Sequence, residues 1–124
     1  MLRVWVSIVS LVVLVAVGRP PATFADEPGV VSDTEAAAHV GQMATVQGLV
    51  ADVYVSQKGD VFLNFENPYP NEVFSGVVFA SSAGQFGDLT SYQGKQVQVT
   101  GVIRLYKGRP EIILQSPDQL RIAP

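Results

Sequence analysis

The stretch Gly94–Leu114, GKQVQVTGVIRLYKGRPEIIL, constrains the chain most, because it reads as a long strand, a basic turn and a returning strand. Val97, Val99, Ile103 and Leu105 fall on one side of an extended backbone, and Gln96, Gln98, Thr100, Arg104 and Tyr106 fall on the other. This is the two-residue period of a half-buried strand. Gly101 takes an inward position with no side chain to pack, which marks a sharp bend, a bulge or a close backbone approach of the kind a small curved barrel needs. Lys107-Gly108-Arg109-Pro110 then reverses the chain. The reversal returns Ile112 and Leu114 to the core and leaves Tyr106, Lys107 and Arg109 near the rim.

An earlier segment, GQMATVQG from Gly41, matches GKQVQVTG from Gly94 in the pattern G-[QK]-x-[AV]-x-V-x-G. The segments between them do not match, so the pattern predicts two strands of one barrel that each bend at a glycine, not a duplicated domain. Strand one continues through Leu49, Val50, Val53 and Val55, and its alternation slips after Val50, predicting a bulge near Ala51 or Asp52. Ser56–Asp60 reads as a hairpin turn into strand two, Val61–Phe65, with Leu63 and Phe65 inward and Phe62 and Asn64 outward. Glu66–Val73 is a polar loop with two X-Pro bonds, either compatible with cis, and an exposed Tyr69. Strand three, Phe74–Ser81, has a continuous apolar character that predicts cover on both sides for part of its length. A short helical connection follows, whose Phe86 and Leu89 plug an open barrel end, and Leu120 and Ile122 form a last edge segment. Ahead of the barrel, Asp26–Val31 reads as a mobile lead, and Ser32 with Glu35 reads as a capping box for a two-turn helix holding His39 in its last turn.

The first 25 residues carry Arg3, an apolar run Val4–Val17 and Thr23-Phe24-Ala25, the three parts of a secretory signal cleaved after Ala25 or after Gly18. The run is shorter than the ~20 residues of a spanning helix. Export to the periplasm or the extracellular space is therefore expected, with no stable membrane anchor after cleavage. Removing Arg3 and Arg19, with no acid, shifts the formal charge from −3 to about −5, too negative for indiscriminate binding to duplex DNA. There is no cysteine, so stability rests on apolar packing and thiol chemistry is excluded. The single histidine lacks metal-ligand companions in sequence, and neither a metal nor a cofactor is expected.

Val46-Gln47-Gly48-Leu49-Val50, Leu63-Asn64-Phe65, Val77-Val78-Phe79, and Gly94-Lys95 through Gly101 with Ile112–Leu114 together resemble the OB fold, over roughly residues 41 to 122. This is an all-β, five-stranded Greek-key barrel with a helical connection between strands three and four. The spacing resembles in particular the anticodon-binding, nucleic-acid-binding type of OB domain found in tRNA synthetases and helicases, and small exported bacterial proteins built from one such domain. The resemblance implies residues 26–40 as lead and helix, residues 41–124 as the barrel domain, and a ligand site at Lys58, Phe62, Asn64, Tyr106, Lys107 and Arg109. Aromatic stacking with cationic phosphate contacts is the chemistry of single-strand binding. The chain is also similar to the thermonuclease family, another OB barrel. Its candidate acids, Asp52, Asp60 and Glu66, sit at scattered turns and strand ends, and no serine, histidine and acid set assembles around His39.

The expectation is thus a non-enzymatic, exported binding module for single-stranded nucleic acid or another extended anion. The alternative is an envelope or extracellular interaction protein that uses the same face for a peptide, a glycan or a protein surface. Mass spectrometry of exported protein checks the processing on which both depend. A species beginning at Asp26 is expected, and an intact Met1 in the exported fraction contradicts it.

Overall fold

A computed structural model describes residues 29–124; the expected leader, its cleavage site and the first residues of the lead lie outside the described residues. Eight strands form one sheet: β1 Val30–Ser32, β2 Met43–Val55, β3 Val61–Phe65, β4 Phe74–Val78, β5 Gln96–Val102, β6 Arg104–Tyr106, β7 Arg109–Ile113 and β8 Leu120–Ile122. Hydrogen-bonded neighbours run β6-β7-β4-β3-β2-β5-β8, with β1 added beside β2. The first half of β2 pairs antiparallel with β5, from Met43 opposite Val102 to Leu49 opposite Gln96. Its second half pairs antiparallel with β3, from Val50 opposite Phe65 to Val55 opposite Val61. The register shifts between Val50 and Asp52, where the sequence alternation slips.

Only Ile103 separates β5 from β6, so one bent segment pairs with β2 on one side and with β7 on the other. With β7 lying parallel to β4, the chain itself joins the two ends of the path, in the all-β, OB-like arrangement. The strand count exceeds the expected five for two reasons. The fourth barrel strand breaks at Ile103, and short strands β1 and β8 add to the edges of β2 and β5. Val30 and Val31 therefore belong to a strand parallel to Thr45–Gln47 and not to a mobile lead.

The break also corrects the inward assignment of Leu105. Ile103 donates its N–H to the Gln42 carbonyl and accepts from Gly41 N–H, which holds it in the core at the bend. Beyond it β6 pairs with β7 alone, and Leu105 is 52% exposed. Val46, Leu63, Val99 and Ile112 are fully buried together, with the Phe65 and Phe74 rings edge to face at 5.1 Å. Leu89 enters the same core and Phe86 packs against it. The connection between β4 and β5 holds a short helix, α1 Ala80–Ala83, and a 3-10 turn, Leu89–Tyr92. The predicted N-terminal helix is a 3-10 helix, Asp33–His39, capped by Ser32 Oγ accepting from Thr34 N–H. The complete capping box lies elsewhere, at Ser116 and Gln119.

Gly101 meets its expectation directly: a Cβ there would lie 2.6 Å from Ile112 Cγ2 and 3.2 Å from Gln119 Nε2. Gly101→Ala should destabilise by about 1–3 kcal/mol through overpacking. Gly84→Ala, where nothing lies within 4 Å, should cost nothing measurable. Val99→Ala should lose about 1–3 kcal/mol through lost burial and an unfilled space. Urea denaturation of the three variants checks the set, and an unchanged midpoint for Gly101→Ala would remove the close approach from the account of the fold.

Candidate binding groove

On the outer face of β3 and β4, closed at one side by the β6–β7 hairpin and at another by the loop after β3, lies a cavity of about 480 Å³. Tyr54, Phe62 and Tyr69 supply one wall, and Tyr106, Lys107 and Arg109 supply the opposite rim. Tyr54 stands directly across from Phe62 in the β2–β3 hairpin, their rings 6.0 Å apart, and stacks on Tyr69 at 6.0 Å with planes 14° apart. The Tyr69–Pro70 bond is cis. Tyr54, Tyr69 and Tyr106 are each about half exposed or more, so three partly exposed rings border the groove, Tyr54 and Tyr69 stacked on each other and Tyr106 beneath Lys107.

The floor is polar and ordered. Ser75 Oγ donates to Asn64 Oδ1 at 3.1 Å, and Asn64 Nδ2 donates to Asp52 Oδ1 at 3.2 Å. These bonds let Asn64 be 1% exposed on the outward side of β3, where burial without partners would cost several kcal/mol, roughly 2–7. The charges are paired across the rim. Arg104 Nε donates to Glu111 Oε2 at 2.8 Å, and Arg109 Nη1 lies 2.9 Å from Glu72 Oε1 without hydrogen-bond alignment. Both carboxylates are 9% exposed, while the two arginine side chains are about half exposed. Lys107, held in a left-handed turn at φ 52°, places Nζ 5.4 Å from the Tyr106 ring centroid.

Phe62, Asn64, Tyr106, Lys107 and Arg109 all line this groove, as the sequence places them. Lys58 does not: at the tip of the β2–β3 hairpin it faces solvent and pairs with Asp60 at 3.7 Å. Sequence reasoning missed Tyr54, Glu72, Ser75 and Glu111 as groove residues. A signal for two of them exists, since counting outward from each hairpin turn puts Tyr54 opposite Phe62 and Glu111 opposite Arg104. His39 is distant in role, its Nδ1 bonded to Gln42 Oε1 at 3.0 Å. Among the described residues no three His, Cys, Asp or Glu side chains are arranged to hold a metal ion.

A second, smaller cavity of about 280 Å³ lies at the seam where β1 and β3 meet along β2. Asp33 sits there 3% exposed, in space left free because residue 48 is glycine, with Oδ2 lacking a hydrogen-bond partner. Burial, with the like charge of the neighbouring Glu66 carboxyl, pushes the Asp33 carboxyl up to about 7. The folded state therefore holds a proton that the unfolded chain, with an ordinary 3.8, has released between those two pH values. A raised folded value means this carboxyl's contribution to stability is fully present below about pH 4, is lost as pH rises toward 7, and is absent above it. The contribution of the Asp33 carboxyl is of the order of 2–4 kcal/mol. Urea denaturation across that range should show the decline in the wild type and a flatter profile in Asp33→Asn. Identical profiles would leave the carboxyl unperturbed.

No protein-family model and no curated protein sequence matches the chain. Among solved structures it is similar to a protein described as an aspartyl-tRNA synthetase from Leishmania major Friedlin, at 10% identity and TM-score 0.49, covering 76% of this chain and 20% of that one. It is similar also to the asparaginyl-tRNA synthetase of Entamoeba histolytica, at 13% identity and TM-score 0.48, over 75% of this chain and 23% of that one. The aspartyl-tRNA synthetase of the same organism matches at 14% identity and TM-score 0.45, over 69% and 19% respectively. The chain thus spans about a fifth of the length of each synthetase.

Proposed function

We propose that the domain is a non-catalytic binding module that takes a short run of single-stranded nucleic acid into the groove. One observation carries the reading: three exposed tyrosine faces, Tyr54, Tyr69 and Tyr106, surround a cavity whose rim also holds Lys107. Base stacking on an aromatic face contributes about 1–3 kcal/mol per base and tolerates any base, because every base has a flat face. The polar floor of Asn64 and Ser75, buried and mutually hydrogen-bonded, fixes the shape of the groove beneath the rings. Export by the N-terminal signal is part of the same proposal, supported by the charged, apolar and small-residue order of the first 25 residues.

A second reading, a peptide or glycan ligand, draws on Glu72 and Glu111. These carboxylates line the groove and accept hydrogen bonds from N–H or O–H groups.

Fluorescence titration of a labelled single-stranded oligonucleotide at several salt concentrations decides between the two readings. Saturable binding is expected at low salt, with Tyr54→Ala and Tyr106→Ala each weakening it by about 1–3 kcal/mol and leaving the salt dependence nearly unchanged. No binding at low salt, where charge contacts are strongest, rejects the nucleic-acid reading in favour of the second.

A further inference from the structure

Resting on the groove reading, we infer that the groove contacts one phosphate only, so that its ligand is a segment of one to three nucleotides and not an extended polyanion. Glu72 sets that limit by holding Arg109.

The groove lining holds two cations, Lys107 and Arg109, and one of them is committed; Arg104, outside the lining, is tied to the lining carboxylate Glu111. Arg104 donates to Glu111 at 2.8 Å, and Arg109 lies 2.9 Å from Glu72. Each carboxylate is 9% exposed, so an arginine that turned to a phosphate would strand a buried anion beside the incoming negative charge. The arginines keep their partners. Lys107 has no ion pair among the described residues, and its contact with the Tyr106 ring is of the exposed cation–π kind, worth about 0.5–1 kcal/mol. It can leave that contact for a phosphate at small cost.

The groove offers no onward track for a longer strand. Past the aromatic wall, the cation at the β2–β3 hairpin tip is Lys58, which faces solvent outside the groove lining. A cavity of about 480 Å³ lies within the roughly 300–1,000 Å³ that encloses a drug-sized ligand. Three partly exposed rings and one available ammonium therefore match a few stacked bases joined at one neutralised phosphate. Glu72 acts as a specificity-determining residue: it keeps a second cation off the ligand.

The test is a length series of labelled oligothymidylates, from the dinucleotide to the octamer, titrated at several salt concentrations. Affinity should level off by the trimer, and log K against log salt should have a slope near −0.7, the value for one phosphate on a single strand. Glu72→Gln frees Arg109, so the slope should steepen to roughly −1.4 with several-fold tighter binding at low salt. Glu111→Gln, which releases an arginine outside the groove lining, should leave the slope near −0.7, and circular dichroism confirms the fold of either variant. Affinity that climbs through the octamer, a wild-type slope of two contacts or more, or an unchanged slope in folded Glu72→Gln overturns the one-phosphate inference while leaving the groove reading intact. No binding at any length and low salt overturns both.

Discussion

Two glycines, each facing a neighbour that leaves no room for a Cβ, set the geometry on which the rest depends. Gly101 brings β5 against Ile112 of β7, and Gly48 brings β2 within 2.9 Å, at the position a Cβ would take, of the Phe65 ring. The two glycines close the two copies of one eight-residue pattern, and the strands that carry them pair with each other, Ala44 opposite Gly101 and Gly48 opposite Val97. The copies are thus related by an approximate two-fold within the pair. Each opens on a glycine with positive φ, 89° at Gly41 and 85° at Gly94, a conformation that costs other residues about 1 kcal/mol or more. A chain that enters, bends and exits in the same way on both strands curls the sheet until β5 and β6 join its ends.

That curvature produces the groove. Because β4 is buried along its whole length, the outward side of β3 and β4 must be covered, and the loop after β3 and the β6–β7 hairpin cover it only partly. The gap between them is the cavity. Its polar floor follows from the same half-coverage: Asn64 and Ser75 point outward in neighbouring strands, lose access to water, and satisfy each other. A binding face on a barrel is here the place where a sheet that needs two covers receives one and a half.

The strands, the bulge at Val50–Asp52, the inward glycine and most of the groove rim were legible in the sequence because each is a local property of spacing. What failed was non-local. Leu105 continues the inward parity of Val97, Val99 and Ile103, yet the backbone turns at Ile103 to bond Gly41 and Gln42, partners about sixty residues away. Val30 and Val31 look like the end of a loose lead until β2 is seen to have an unpaired edge at Thr45–Gln47 that they fill. Lys58 follows strand one in the loop where the resemblance puts a ligand contact, but hairpin tips point along the strand axis and this one reaches past the groove. Glu72 was hidden for a different reason, since a loop residue has no periodicity from which to infer its partner.

The balance of charge gives the groove its character. The whole chain is formally −3, and cations near the groove are offset by Glu72, Glu111 and Asp60, so no positive field extends beyond a Debye length of about 8–10 Å. A polyanion approaching from afar meets net repulsion and gains nothing from steering. Attraction begins only at contact, when an exposed ring is covered and Lys107 reaches a single charge. The aromatic term is insensitive to salt and the charge term is small, so recognition at this face is governed by flat surfaces and by the fixed polar floor beneath them. Acidic composition and a ring-binding groove are therefore compatible in one small barrel, because the acids that lower its long-range field are partly the same acids that hold its arginines in place.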